Sequence, residues 1–183
     1  MKLAYTLYLI LPLSILIFSC KHTTTHDEEL NYYLKISFQV KEVSNLVRSF
    51  SPQLLAAIKQ YPLVPKDDNG QLDSLRNSFS TLMLQLDERL ISLDELKAVN
   101  HEILIKLSAT KLVKDTRNIL IAFHRLLLNR YVAQDYKLKV ITLADIKFGK
   151  KQLDTDDFYY EKRLDEYRKK YHLLNNELAA YGL

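Results

Sequence analysis

A chain of 183 residues, 48 % apolar and 26 % charged, is long enough for one domain with a substantial buried core. Its 26 basic and 22 acidic residues give a formal charge of +4, a near balance that does not point to nucleic acid as a partner. A single cysteine excludes a disulfide framework or a thiolate metal cluster. Three glycines, four prolines and no tryptophan in a chain rich in Leu, Lys and Tyr point to long helices with few turns.

The first stretch, Met1 to Cys20, carries one positive charge at Lys2. An apolar run from Leu3 to Phe18 follows, interrupted only by Thr6, Pro12 and Ser14. That is the layout of a secretory signal. On the residues alone, an uncleaved anchor of about 20 residues and an ordinary cleaved signal stay open beside a lipid-modified one. The run ends in Ile17-Phe18-Ser19-Cys20, where small Ser19 precedes the only cysteine. These residues resemble the lipobox of bacterial lipoproteins, in which an apolar position and a small residue lead into a cysteine. The resemblance covers these 20 residues. It implies a signal peptide over 1–19, lipid attachment at Cys20 and a bacterial cell-envelope address, with the membrane as a partner through the lipidated cysteine. Lys21 stands where some bacteria place an inner-membrane retention Asp, which leans the address toward the outer membrane. Removal of residues 1–19 leaves 164 residues with 25 basic against 22 acidic side chains, a formal charge of +3. No cysteine then remains for a disulfide or a nucleophile.

Residues 20–27 form the expected lipidated tether, polar and threonine-rich, and 28–183 the expected helical domain. His22 and His26 read as solvated tether residues rather than a metal pair, and Asp27, Glu28 and Glu29 favour the positive end of the helix that follows. That helix is expected over 28–50, where Tyr33, Ile36, Val40, Val43, Val47 and Phe50 recur at spacings of three and four. Ser51-Pro52 has the form of an N-cap followed by a first-turn proline, so a separate short helix is expected to about Gln60.

Tyr61 to Gly70 reads as a loop. Its Lys66-Asp67-Asp68-Asn69-Gly70 is not a calcium loop, because Pro65 falls at the first ligand position and Arg76 where the bidentate glutamate belongs. A second helix follows with Leu72, Leu75, Phe79, Leu82, Leu86, Leu90 and Leu93 on one face. Ser92-Leu93-Asp94-Glu95 resembles a capping box, so either a new helix starts near Leu93 or the helix continues unbroken. In both cases Leu96, Val99, Ile103 and Leu107 are the expected apolar face. The polar run 114–118 reads as a break or an exposed waist. From Ile119 to Leu128 the chain is apolar nearly all round, which places it centrally and makes His124 either a ligand or proton carrier or a histidine satisfied at the core edge.

Residues 135–152 allow a strand, a fraying helix end or a loop. Five lysines there, with Tyr136 and Phe148, make a basic patch that either faces anionic lipid or an acidic polymer, or is a solvated connection. The last helix is expected to open at Asp154 or Thr155. Its seam of Tyr160, Leu164, Tyr167, Tyr171, Leu174, Leu178 and Tyr181 alternates four and three, as a left-handed coiled-coil seam does. Four of those seven residues are tyrosines. Tyr160, Tyr167, Tyr171 and Tyr181 therefore either reach solvent at the bundle edge or line a groove for a partner protein.

No catalytic constellation is legible: there is no glycine-rich phosphate loop, no nucleophile elbow and no paired Glu-x-x-His, and no motif indicates a cofactor. The expected fold is all-α, a four- or five-helix antiparallel bundle with a coiled-coil-like C-terminal helix. The expected function is a non-enzymatic interaction or scaffolding lipoprotein that meets an envelope protein. The alternative is a small-ligand or metal-binding bundle using His101, His124 or His172.

Overall fold

A computed structural model describes residues 25–60, 69–133 and 138–181; Cys20 and the signal-like stretch lie outside them. Four long helices follow in order: α1 (His26–Gln60), α2 (Asn69–Glu95), α3 (Leu104–Ala133) and α4 (Leu138–Lys170). A 3₁₀ turn at Val99–His101 precedes α3, and a short α5 (Asn175–Ala179) closes the chain. Among the described residues there is no strand, and the fold is an all-α bundle. None of these helices is long and apolar enough to cross a membrane.

Neighbouring helices run antiparallel, as their side-chain pairs show. Phe50 meets Phe79 at 6.0 Å and Arg89 donates to Gln39 at 3.2 Å between α1 and α2. Arg117 reaches Asp87 at 2.6 Å between α2 and α3. Between α3 and α4, Gln152 donates to Asp115 at 3.2 Å, and buried Gly149 lets the two backbones approach. A Cβ there would stand 2.9 Å from Ile119 Cγ2 and 3.1 Å from Phe123 Cζ. Between α4 and α1 the helices are held apart by tyrosine rings, with Tyr167 5.8 Å from Tyr32 and 6.3 Å from Tyr33.

The apolar faces of α1 and α2 follow their spacing. Ile36, Val43, Phe50, Leu75, Phe79, Leu82, Leu86 and Leu93 are all buried. Helix α1 begins two residues before its expected start because Thr25 and Glu28 form a reciprocal capping box. Glu28 N–H donates to Thr25 Oγ1 at 3.3 Å and Thr25 N–H donates to Glu28 Oε2 at 3.0 Å.

Several boundaries differ from expectation. The expected break at Ser51-Pro52 does not occur, and α1 continues to Gln60 with Pro52 inside it. Ser51 Oγ donates back to Val47 O at 2.7 Å instead of capping a new helix. Proline removes one helical donor, yet its fixed φ is a helical one, and core packing of Phe50 spans the site. Ser92 likewise donates to Glu88 O at 2.8 Å and caps nothing.

The break falls instead over residues 96–103, where Asn100 adopts φ 51 and donates to Glu29 Oε1 at 2.8 Å. That left-handed residue resets the helical phase. Ile103 and Leu107 are consequently exposed, and α3 buries Ile105, Ala109, Leu112, Val113, Thr116 and Leu120. An offset of two residues turns a helix by roughly 200°, the opposite side. The polar run at 114–118 lies within continuous α3.

The expected opening of the last helix at Asp154 or Thr155 is also absent. Helix α4 is continuous from Leu138, and Thr155 Oγ1 donates to Lys151 O at 2.8 Å. Of the undecided segment 135–152, the described part is therefore helix. At its far end the regular seam stops after Tyr171. Leu173 N–H donates to Arg168 O at 3.0 Å and His172 N–H to Lys169 O at 3.4 Å, with His172 at φ 54. This is a Schellman closure. It buries Leu173 and leaves the seam residue Leu174 exposed.

Candidate functional site

The seam tyrosines divide. Tyr160 and Tyr167 are buried, at 2 % and 4 % exposure, against α1. Tyr171 is half-buried and packs on Tyr167 at 4.5 Å. Three of the four sequence candidates thus face the bundle, because the regular seam is the inward face of α4. Tyr167 Oη donates to Glu29 O at 3.4 Å, and Tyr32 Oη to Glu102 O at 3.1 Å. Burial pushes the Tyr32 hydroxyl up to about 12, with Glu102 adding to it, and raises Tyr33, Tyr160 and Tyr167 as well. These four hydroxyls stay neutral; that of Tyr167 ties α4 to α1, and that of Tyr32 ties α1 to the connection between α2 and α3.

Tyr181 alone is open, at 62 % exposure. It borders a groove of about 480 Å³ on the outer side of α1, with Leu34 and Phe38 as apolar lining and Lys35, Lys41 and Glu42 along it. Phe38 is 53 % exposed. Tyr181 is positioned by α5, whose Leu178 is buried, and Tyr181 N–H donates to Leu178 O at 3.0 Å. Glu177 caps α5 and ties it to the start of α1. It accepts from Leu174 N–H at 2.8 Å and pairs with His26 at 3.1 Å, and those two contacts hold its carboxyl below the usual range. Phe38 was legible as a lone large aromatic among Lys35, Lys41 and Glu42 on the polar side of α1, opposite Ile36.

A second cleft, of about 660 Å³, lies between the start of α1 and residues 95–100. Glu28, Lys35 and Lys97 place mixed charge around it, and Tyr32 forms its floor.

The nominated histidines are not gathered. His172 is exposed at the α4 turn. The His101 side chain lies outside the described residues. His124 sits 20 residues along α3 from Leu104, roughly 30 Å. Its ring stacks on Phe79 at 3.7 Å with an interplanar angle of 4°. Its Nε2 has no hydrogen-bond partner among the described residues. Burial, then the nearby Arg76 charge, keeps the imidazole below its usual pKa and therefore neutral. Among the described residues no group of three or more His, Cys, Asp and Glu side chains is placed to hold a metal ion.

One charged cluster bridges α3 and α4 from the edge of the bundle inward. Lys111 Nζ bridges Asp115 at 2.8 Å and Asp156, whose side chain is 6 % exposed. Asp156 Oδ2 is buried and unpartnered among the described residues. Burial pushes the Asp115 carboxyl up, but hydrogen bonds from Lys111 and Gln152 outweigh it and hold the carboxyl low. One ammonium shared by two carboxyl groups ties α3 to α4. No spacing within α4 marks Asp156 for a partner 45 residues away.

Comparison with known proteins finds no family model, no curated protein and no solved structure that matches this chain.

Proposed function

We propose that this chain is a non-enzymatic interaction module of a bacterial envelope, tethered by lipid at Cys20 and receiving a helical segment of an envelope protein in the α1 groove. The observation that carries the reading is the exposure of Phe38 and Tyr181 in one groove beside Leu34. Aromatic side chains bring large contact area at low entropic cost and are favoured where proteins meet. Lys35, Lys41 and Glu42 along the groove suit a segment with an apolar stripe and charged flanks. The lipobox-like end of the leader supports the tether. A photo-crosslinking amino acid in place of Phe38 in intact cells is expected to give one discrete protein adduct. The same probe in place of Leu84, exposed on α2, gives none. Identical adduct patterns at both positions, or none at Phe38, would sink the groove reading.

A second reading, a small-ligand or metal-binding bundle, has one observation in its favour: the unpartnered His124 Nε2 stacked beside Phe79. A stoichiometric metal in the purified protein that disappears in His124→Ala would favour it over the first.

A further inference from the structure

The outward side of α4 carries a second stripe, opposite the tyrosine seam. Phe148, Phe158 and Tyr159 are 71 %, 65 % and 56 % exposed. Lys147, Lys151 and Lys162 are exposed among them. Stepping from Phe148 through Lys151, Thr155 and Tyr159 to Lys162 advances three or four residues at a time. These side chains therefore share one side of the helix over roughly 21 Å. Asp157 and Glu161 fall beside the stripe, and Asp154 stands at its edge, four residues before Phe158.

The basic residues of α4 differ sharply between its two parts. Beyond Lys162, Arg163, Arg168, Lys169 and Lys170 all make ion pairs. Lys147, Lys151 and Lys162 make none among the described residues. Unpaired ammonium groups interleaved with exposed aromatic rings are the composition of a helix lying in a bilayer interface, where rings enter the headgroup region and lysines meet anionic lipid.

We infer that the outer face of α4 from Phe148 to Lys162 rests on an anionic membrane surface, with Phe148, Phe158 and Tyr159 in the headgroup layer. The inference rests on the lipid tether of the proposed function and deepens it. Cys20 stands five residues before Thr25, at most roughly 18 Å of chain. The start of α1 touches the end of α4, since Tyr167 packs on Tyr32 and bonds Glu29 O. An acylated Cys20 therefore keeps that end of α4 near the bilayer, and the stripe sets which side of the bundle faces it.

The chain has no tryptophan, so Phe148→Trp in the full-length protein is a sole reporter. The test reconstitutes it in vesicles of equal parts phosphatidylcholine and phosphatidylglycerol with brominated acyl chains. Expected are a blue-shifted emission and quenching several-fold stronger than for Leu84→Trp on α2. Adding Lys147→Gln, Lys151→Gln and Lys162→Gln, with unchanged helical circular dichroism, should cut the quenching at position 148 several-fold. In pure phosphatidylcholine the same substitutions should change little. Equal quenching at both reporters, or none at position 148, overturns the inference. The mass of the Cys20 peptide from the same sample separates the two claims. An acylated Cys20 without quenching at position 148 overturns the stripe alone, and quenching with an unmodified Cys20 supports the stripe and overturns the tether.

Discussion

Replacing Lys111 by Met removes the one cation that the Asp115 and Asp156 carboxylates share while keeping the length and apolar stem of the side chain. An exposed ion pair contributes at most about 1 kcal/mol, whereas removing one partner of a fully buried pair costs about 3–5 kcal/mol. Here the Lys111 side chain is 59 % exposed but Asp156 is 6 % exposed. The cost should lie between these limits, at about 2 kcal/mol, a fall in melting temperature of roughly 6 °C for a domain of this size. The pH dependence gives a sharper signature. In the native chain Asp115 is held below its unfolded value of 3.8. Its contribution is therefore present above that pH and lost as pH falls through the folded pKa. Without Lys111 the largest lowering contact is gone and the folded Asp115 pKa moves up toward the unfolded one. The variant should then lose less stability than the native chain as pH falls from 5 toward 3. Urea unfolding followed by circular dichroism at pH 7 and pH 3 reads both effects. Combining Lys111→Met with Asp156→Asn should cost at least about 1 kcal/mol less than the two single changes together. A loss below about 0.5 kcal/mol, or strict additivity, would refute the clamp.

Other outcomes follow from the same geometry. Tyr32, Tyr33, Tyr160 and Tyr167 have folded pKa values above the unfolded value of 10.0. Their stabilising contribution is complete below pH 10 and lost above it, so tyrosinate absorbance should stay incomplete until the helices melt between about pH 10 and 12. His124 has a folded pKa below its unfolded value of 6.5. Its contribution is present above pH 6.5 and lost as pH falls, so His124→Gln should lessen the acid sensitivity of the melting temperature near pH 5. At His172, φ 54 favours glycine. His172→Val should cost about 1–2 kcal/mol in chemical denaturation, while His172→Gly stays within about 1 kcal/mol of the native chain.

The legible part of the fold is the part set by local periodicity. The buried sides of α1 and α2 are the ones their three-and-four spacing marks, from Ile36 to Phe50 and from Leu75 to Leu93. Spacing carries phase only until the chain breaks, and the left-handed Asn100 and His172 are where it is lost. Neither position is a glycine, so neither break was marked. Beyond Asn100 the expected Ile103 and Leu107 point outward, and beyond His172 the seam residue Leu174 yields its place to Leu173. Polar signals were misleading in the other direction. Ser51, Ser92 and Thr155 look like caps, yet each donates to the carbonyl four residues back inside a continuous helix. The site was legible in its composition and not in its geometry. A tyrosine-rich helix is evident from the residues, but only packing turns Tyr160 and Tyr167 inward and brings Tyr181 beside Phe38, 143 residues earlier in the chain. Of the Lys111, Asp115 and Asp156 clamp, spacing within α3 marks the Lys111–Asp115 pair, four residues apart, but nothing in α4 marks Asp156 as the third member.

The tether at Cys20 is the premise of the proposed role, and intact-mass analysis of the mature amino terminus tests it most directly. The expected result is a chain that begins at Cys20 and carries acyl groups, with Cys20→Ala accumulating unprocessed. A mature chain that retains Met1 to Ser19, or one that begins elsewhere with an unmodified Cys20, would contradict it.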